Sequence, residues 1–123
     1  MKTIHTDNAP AALGPYSQAK VSGGFLFTSG QIAIDPAAGK ITAATIEGQT
    51  EQVCRNLKAV LEEAGSSLDK VVKTTCFLKD IADFAAFNDV YATFFTGKPA
   101  RSCVEAAALP AGALVEVEVI AEV

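Results

Sequence analysis

The spacing of apolar and polar positions changes along this chain, and each change marks an element. From Leu114 to Val123 it alternates: Val115, Val117, Val119 and Ala121 fall on one side, Glu116, Glu118 and Glu122 on the other. A period of two is that of a strand with one buried face. From Ile46 the spacing is helical. Ile46, Thr50, Val53, Leu57, Val60, Leu61 and Ala64 form a stripe, and Glu47, Glu51, Arg55 and Lys58 lie off it. Thr45 suits the N-cap and Gly65 the C-terminal glycine, while Gly48 weakens the first turn. Lys70 to Lys79 is rich in β-branched and apolar residues and predicts a strand. Asp80 is placed to cap a second helix that buries Phe84, Phe87, Tyr91, Phe94 and Phe95. Asn88 lies one turn from Phe84 and from Tyr91, and a buried amide there needs a partner. Before the first helix, Lys2–His5 predicts a short strand and Asn8–Pro15 a loop. Tyr16–Ser22 and Phe25–Thr28 predict a hairpin through Gly23-Gly24, and Asp35–Lys40 a surface turn.

The resulting order, β, β-β, α, β, α, β-β, predicts an α+β fold: a mixed sheet with both helices packed on one face, in a single domain over residues 1–123. Two such helices leave the other sheet face open. A half-apolar open face predicts self-association, most simply as a closed ring with sites between subunits.

The segment Pro99-Ala100-Arg101-Ser102-Cys103-Val104-Glu105 carries the first chemical signal. Read as a strand, it sets Arg101, Cys103 and Glu105 on one face and Ser102 and Val104 on the other. A guanidinium on a rigid strand is a two-pronged receptor for a carboxylate, although a lone strand arginine also serves in ordinary surface ion pairs. If this strand pairs with Leu114–Val123 through the Leu109–Ala113 turn, then Arg101, Cys103 and Glu116 converge on the helix-free face as a small-molecule site. Gly30, just beyond an apolar strand, allows close approach of backbone to a neighbour or ligand.

Composition narrows the chemistry. The chain has 123 residues and a net charge of −4, with half its residues hydrophobic and a fifth charged, which is globular rather than disordered. Its ten Lys and Arg are scattered, so nucleic-acid binding is disfavoured. Met1–His5 opens directly into a strand, and no apolar run reaches membrane-spanning length, so a cytoplasmic location without membrane contact is expected. Three cysteines, Cys54, Cys76 and Cys103, without CxxC spacing argue against disulfides and structural zinc. The single histidine, His5, removes Ser-His-Asp and Cys-His schemes unless it takes part itself, and removes multi-histidine metal sites. Catalysis here would use carboxylates, arginine, backbone groups and water.

Read together, Gly14-Pro15-Tyr16-Ser17-Gln18-Ala19, Ser29-Gly30-Gln31-Ile32, the Gln49–Leu57 helix, Phe87-Asn88-x-x-Tyr91, Pro99–Glu105, and Leu109-Pro110 with Val115-Glu116-Val117-Glu118 resemble the RidA/YjgF family of reactive intermediate deaminases. The resemblance runs from about Ile4 to Ala121. It implies a chorismate-mutase-like α+β fold, a homotrimer with clefts between subunits, and hydrolysis of enamine and imine acids to 2-keto acids and ammonia without a cofactor or metal. The substrates implied are 2-aminoacrylate, 2-iminobutanoate and 2-iminopropanoate, released by pyridoxal-phosphate-dependent dehydratases. It also implies roles: Arg101 holds the substrate carboxylate, Glu116 orients or activates water, and Cys103 lines the cleft and lends backbone groups. Tyr16, Ser29, Gly30 and Asn88 complete the pocket. Cys103 has no histidine to activate it as a nucleophile. A non-catalytic carboxylate-binding regulator is the main alternative, and a ribonuclease or translation inhibitor a weaker one given the charge balance. The chain departs from the family pattern at Thr96-Gly97-Lys98, which is short, and at Ala106, where a larger aliphatic residue is usual.

Overall fold

The computed structural model describes all the residues, Met1 to Val123. Strands β1 (Lys2–Ile4), β2 (Ala19–Ser22) and β3 (Phe25–Thr28) are followed by a small hairpin of β4 (Ile34–Asp35) and β5 (Lys40–Ile41). Helix α1 (Ile46–Glu63), strand β6 (Val71–Leu78), helix α2 (Phe84–Phe94), strand β7 (Ala100–Glu105) and strand β8 (Val115–Glu122) complete the chain. The main sheet has the order β1-β2-β3-β8-β6-β7, with β7 parallel to β6 and every other pair antiparallel.

Local chemistry sets the element ends. The Thr45 hydroxyl accepts from the Gly48 amide at 3.1 Å, capping α1. At the other end Gly65 takes φ +80°, and the amides of Gly65 and Ser66 bond back to Glu62 and Leu61, closing the helix as a glycine terminator does. Gly23 and Gly24 both have positive φ, the requirement of a two-residue hairpin turn. The β2 strand begins at Ala19 rather than Tyr16, because the Pro15–Ser17 stretch stays in the preceding loop. Asp80 does cap, but through the Ala82 amide it caps a short turn at Ile81–Asp83 that leads into α2.

Both helices pack on one sheet face. Leu26, Cys76, Leu78, Val115 and Val117 point to it and are fully buried with Val53, Leu57 and Phe87 of the helices. The opposite face is open and mixed, with Phe25, Phe27 and Val104 exposed beside half-buried Phe77, Ile120 and Glu116.

The expected pairing of β7 with β8 does not occur. The β6–α2–β7 crossover lays β7 parallel along one edge of β6, and β8 pairs antiparallel along the other. Arg101 therefore lies opposite Thr74, and Glu116 opposite Phe77. Those β6 positions differ by an odd number, so the two side chains leave opposite faces of the sheet. Arg101 and Cys103 are on the helix-covered side, and only Glu116 is on the open face.

Candidate functional site

Glu116 sits on β8 where a loop crosses close to the strand. Gln31 exchanges two backbone hydrogen bonds with Val117, at 2.9 and 3.1 Å, and this draws Gly30 against the Glu116 side chain. A Cβ on Gly30 would stand 2.3 Å from Glu116 Oε2, so only glycine leaves room for the carboxylate in its present position. The cleft formed there has a volume of about 400 Å³, with Tyr16, Ser29, Gly30, Ile32 and Glu116 in its wall. The Ser29 hydroxyl donates to the Ser17 carbonyl at 2.6 Å, which fastens the two loops of that wall together.

Glu116 makes no ion pair, and burial raises its pKa above the ordinary carboxylate value, with repulsion from Glu118 adding to the shift. A carboxyl that holds its proton closer to neutrality can give and take protons in mild solution. Gly30→Ala is expected to push this carboxylate aside. Because the clash is with a flexible side-chain end, stability is expected to fall by no more than about 1–2 kcal/mol. Activity at this site is expected to fall about 10–100-fold. Thermal melting and steady-state rates measured on one preparation check the split.

Arg101 lines a second cleft, of about 310 Å³, with Asn88, Tyr91, Phe95, Lys98 and Pro99. Its Nη1 donates to Asn88 Oδ1 at 2.7 Å. Its guanidinium carbon lies 4.9, 5.3 and 5.9 Å from the ring centres of Tyr91, Phe84 and Phe87. Phe84 is thus not buried with its helix mates but partly exposed over the arginine. Tyr91 is itself fixed by a 2.7 Å hydrogen bond between its hydroxyl and that of Thr74. All the partners of Arg101 are neutral. The Arg55–Glu51 ion pair and the His5–Asp7 hydrogen bond lie elsewhere, so the guanidinium is oriented while its charge stays uncompensated.

The expected site residues therefore fall into two groups: Tyr16, Ser29, Gly30 and Glu116 around one cleft, Asn88 and Arg101 around the other. Cys103 joins neither. Its side chain packs against the core beside Cys76 instead of lining a cleft as expected, and burial raises its pKa despite the opposing pull of Arg101, which agrees with its having no activated thiolate. Cys54 and Cys76 are buried thiols pushed up to about 12 by desolvation. His5 is exposed with Asp7 and lines neither cleft. No three His, Cys, Asp or Glu side chains lie where they could together hold a metal ion, and no helix is long and apolar enough to cross a membrane.

Two buried amides, Gln18 and Asn56, shape the first cleft, and a third, Gln49, holds the approach to β8. Gln18 accepts from the Thr6 amide at 2.7 Å and donates to the Thr6 and Pro10 carbonyls at 3.0 and 2.8 Å, tying down the N-terminal loop. Asn56 donates to the carbonyls of Ile32 and Ile34, holding the cleft wall on α1. Gln49 accepts from the Leu114 amide at 2.9 Å, just before β8. Gln49, Val53, Asn56 and Val60 share one row of the helix, so an amide in an apolar row was the available signal.

The family model described as Endoribonuclease L-PSP matches residues 6–123. A candidate regulator of Lactococcus lactis, AldR, is 55% identical over 100% of this chain and 98% of its own. The 2-iminobutanoate/2-iminopropanoate deaminase of Salmonella typhimurium is 48% identical over 98% of this chain and 96% of its own. Among solved structures, RidA from an Antarctic Psychrobacter superposes with a TM-score of 0.95 at 44% identity, covering all of both chains. Escherichia coli TdcF with bound serine superposes with a TM-score of 0.95 at 41% identity, over 100% of this chain and 99% of that one.

Proposed function

The chain belongs to the RidA/YjgF family, and on that premise we propose that it hydrolyses small 2-imino and 2-enamino acids to 2-keto acids and ammonia without a cofactor. The observation that carries the reading is Arg101, a guanidinium oriented by Asn88 and three aromatic rings with no carboxylate of its own. It suits the carboxylate of an amino-acid-derived substrate, and a similar chain is known with serine bound.

The two clefts belong to one reaction if copies of the chain assemble. In the proposed trimer the open sheet faces pack together, and the Arg101 cleft of one copy meets the Glu116 cleft of the next. Arg101 then holds the carboxylate, and an enamine isomerises to the imine by proton transfer from nitrogen to carbon. Glu116 takes a proton from water as the water oxygen bonds to the imine carbon, and passes that proton to the nitrogen to give the carbinolamine. The carbinolamine then collapses: Glu116 carries the hydroxyl proton to the nitrogen, the C–N bond breaks, and ammonia leaves to give the ketone. The hydrolysis consumes one water, and Glu116 ends as it began. Such imines already hydrolyse in water, so positioning and proton transfer need supply only about 3–5 kcal/mol.

A dehydratase that releases 2-iminobutanoate in the presence of semicarbazide tests the activity. Adding the protein is expected to suppress semicarbazone and speed release of ammonia and keto acid. Unchanged semicarbazone would refute it. Sedimentation is expected to give three copies at micromolar concentration, and a monomer would remove the shared site. A carboxylate-binding regulator is the second reading, favoured by the similarity to AldR. It needs Arg101 but has no use for an unpaired Glu116 whose pKa is raised by burial.

A further inference from the structure

The reading above uses Arg101 and Asn88 but leaves Lys98, which lines the same cleft, without a role. Lys98 belongs to the short Thr96-Gly97-Lys98 segment, and its backbone is unusual. It has φ +52°, in the left-handed region that side chains with a Cβ disfavour, and the following proline restricts it further. The neighbouring Gly97, which could enter that region without strain, does not. The Lys98 amide bonds to the Phe95 carbonyl at 3.2 Å, so the turn is tied to the end of α2, which also carries Asn88 and Tyr91. Strain of this kind is tolerated where the surroundings fix it, and it marks positions where function is worth seeking. The residues lining the cleft include two cations, Arg101 and Lys98, and no acid, and neither cation is paired within the chain.

We propose that Lys98 is a specificity residue that reads a second anionic group, making 2-imino dicarboxylic acids the preferred substrate class. This rests on the reading of Arg101 as the receptor for the α-carboxylate. The planar guanidinium takes that group in two-pronged fashion, and the ammonium of Lys98, a point charge on a flexible stem at the same cleft, takes the side-chain carboxylate. Tyr91, Phe95 and Pro99 line the cleft beside them, with Arg101 half-buried and Lys98 exposed. A monocarboxylic imine engages Arg101 alone.

The test compares 2-oxoglutarate with 2-oxobutanoate, stable keto acids of the two classes, by calorimetry on the full-length protein. Turnover is measured in parallel on the imines that an amino-acid oxidase releases from glutamate and from 2-aminobutanoate. The wild type is expected to bind the diacid about tenfold or more tightly than the monoacid. Lys98→Gln, which keeps the backbone strain and the stem, is expected to bring that ratio near one, Lys98→Arg to restore it, and Lys98→Glu to reverse it. A wild-type ratio near one, a ratio that Lys98→Gln leaves intact, or equal competition by inorganic phosphate would overturn the proposal. The arms separate this inference from the reading beneath it. A diacid preference in binding without turnover of either imine refutes the deaminase and keeps Lys98. Turnover without preference keeps the deaminase and refutes Lys98.

Discussion

Arg101→Ala is expected to lower kcat/KM for a 2-imino acid by about 10²–10³-fold while the protein remains folded. The guanidinium lies at the sheet edge on a strand paired on one side only, and its aromatic partners are anchored independently in the core through Phe87, Phe95 and the Tyr91–Thr74 hydrogen bond. Its removal opens the cleft without leaving a fully buried void, so the melting temperature is expected to fall by only about 2–5 °C. Arg101→Lys discriminates further. A point charge cannot reproduce a planar fork held by Asn88, so this variant is expected to lose about tenfold or more. Binding of a keto acid, followed by calorimetry, is expected to fall in parallel with the rate. A lysine variant with full activity would mean that the site needs positive charge there and not geometry.

Glu116→Gln is expected to cost about 10²-fold or more in kcat with keto-acid affinity little changed, because glutamine keeps the shape and loses the proton-carrying group. The same substitution is expected to stabilise the protein at neutral pH. A carboxyl whose pKa is raised on folding favours the protonated form in the native state. Its contribution to stability is complete below the unfolded carboxylate value and is lost as pH rises through the raised native one. Once ionised, Glu116 is therefore a cost, from desolvation first and Glu118 second. Removing its charge is expected to add about 0.5 kcal/mol, discounted because the group is only half buried. The gap between variant and wild type is expected to close as the pH falls through the carboxylate range. In the wild type the rate is expected to rise with pH through the raised Glu116 value, and in Glu116→Gln that limb is expected to vanish. A variant both fully active and unshifted in its pH profile would make Glu116 structural, leaving water to backbone groups.

The two half-sites differ in how far they could be read from the chain. Local signals sufficed wherever neighbours in sequence determine the outcome. Thr45 and Gly65 bound α1, Gly23-Gly24 makes the hairpin turn, and the Val115–Ala121 alternation gives a strand with one buried face. The alternation along β7 likewise separates Arg101 and Cys103 from Ser102 and Val104. It cannot say which side the helices cover, because that depends on which strand lies alongside. The crossover through α2 chose β6, and the register on β6 placed Arg101 and Glu116 on opposite faces. Asn88 was marked by its position among aromatic residues, and its partner proved to be the arginine. Gln18 and Asn56 were harder to read. Their amides serve carbonyls in loops outside their own elements, and only the packed structure shows that Gln18 lines the Glu116 cleft and Asn56 holds its wall.

The central claim is that a working site takes Arg101 from one copy of the chain and Glu116 from the next, and mixing two inactive variants tests it most directly. Arg101→Ala and Glu116→Gln would each be purified, mixed in equal amounts under dissociating conditions, and reassembled. In a three-fold ring with random assortment, three-quarters of the rings are mixed, and each mixed ring carries one intact site in three. Activity is then expected to recover to about a quarter of the wild-type level. Recovery near that level is the predicted result. Mixed rings shown to have formed by mass spectrometry, yet as inactive as either parent, would contradict the account and place the chemistry within a single chain.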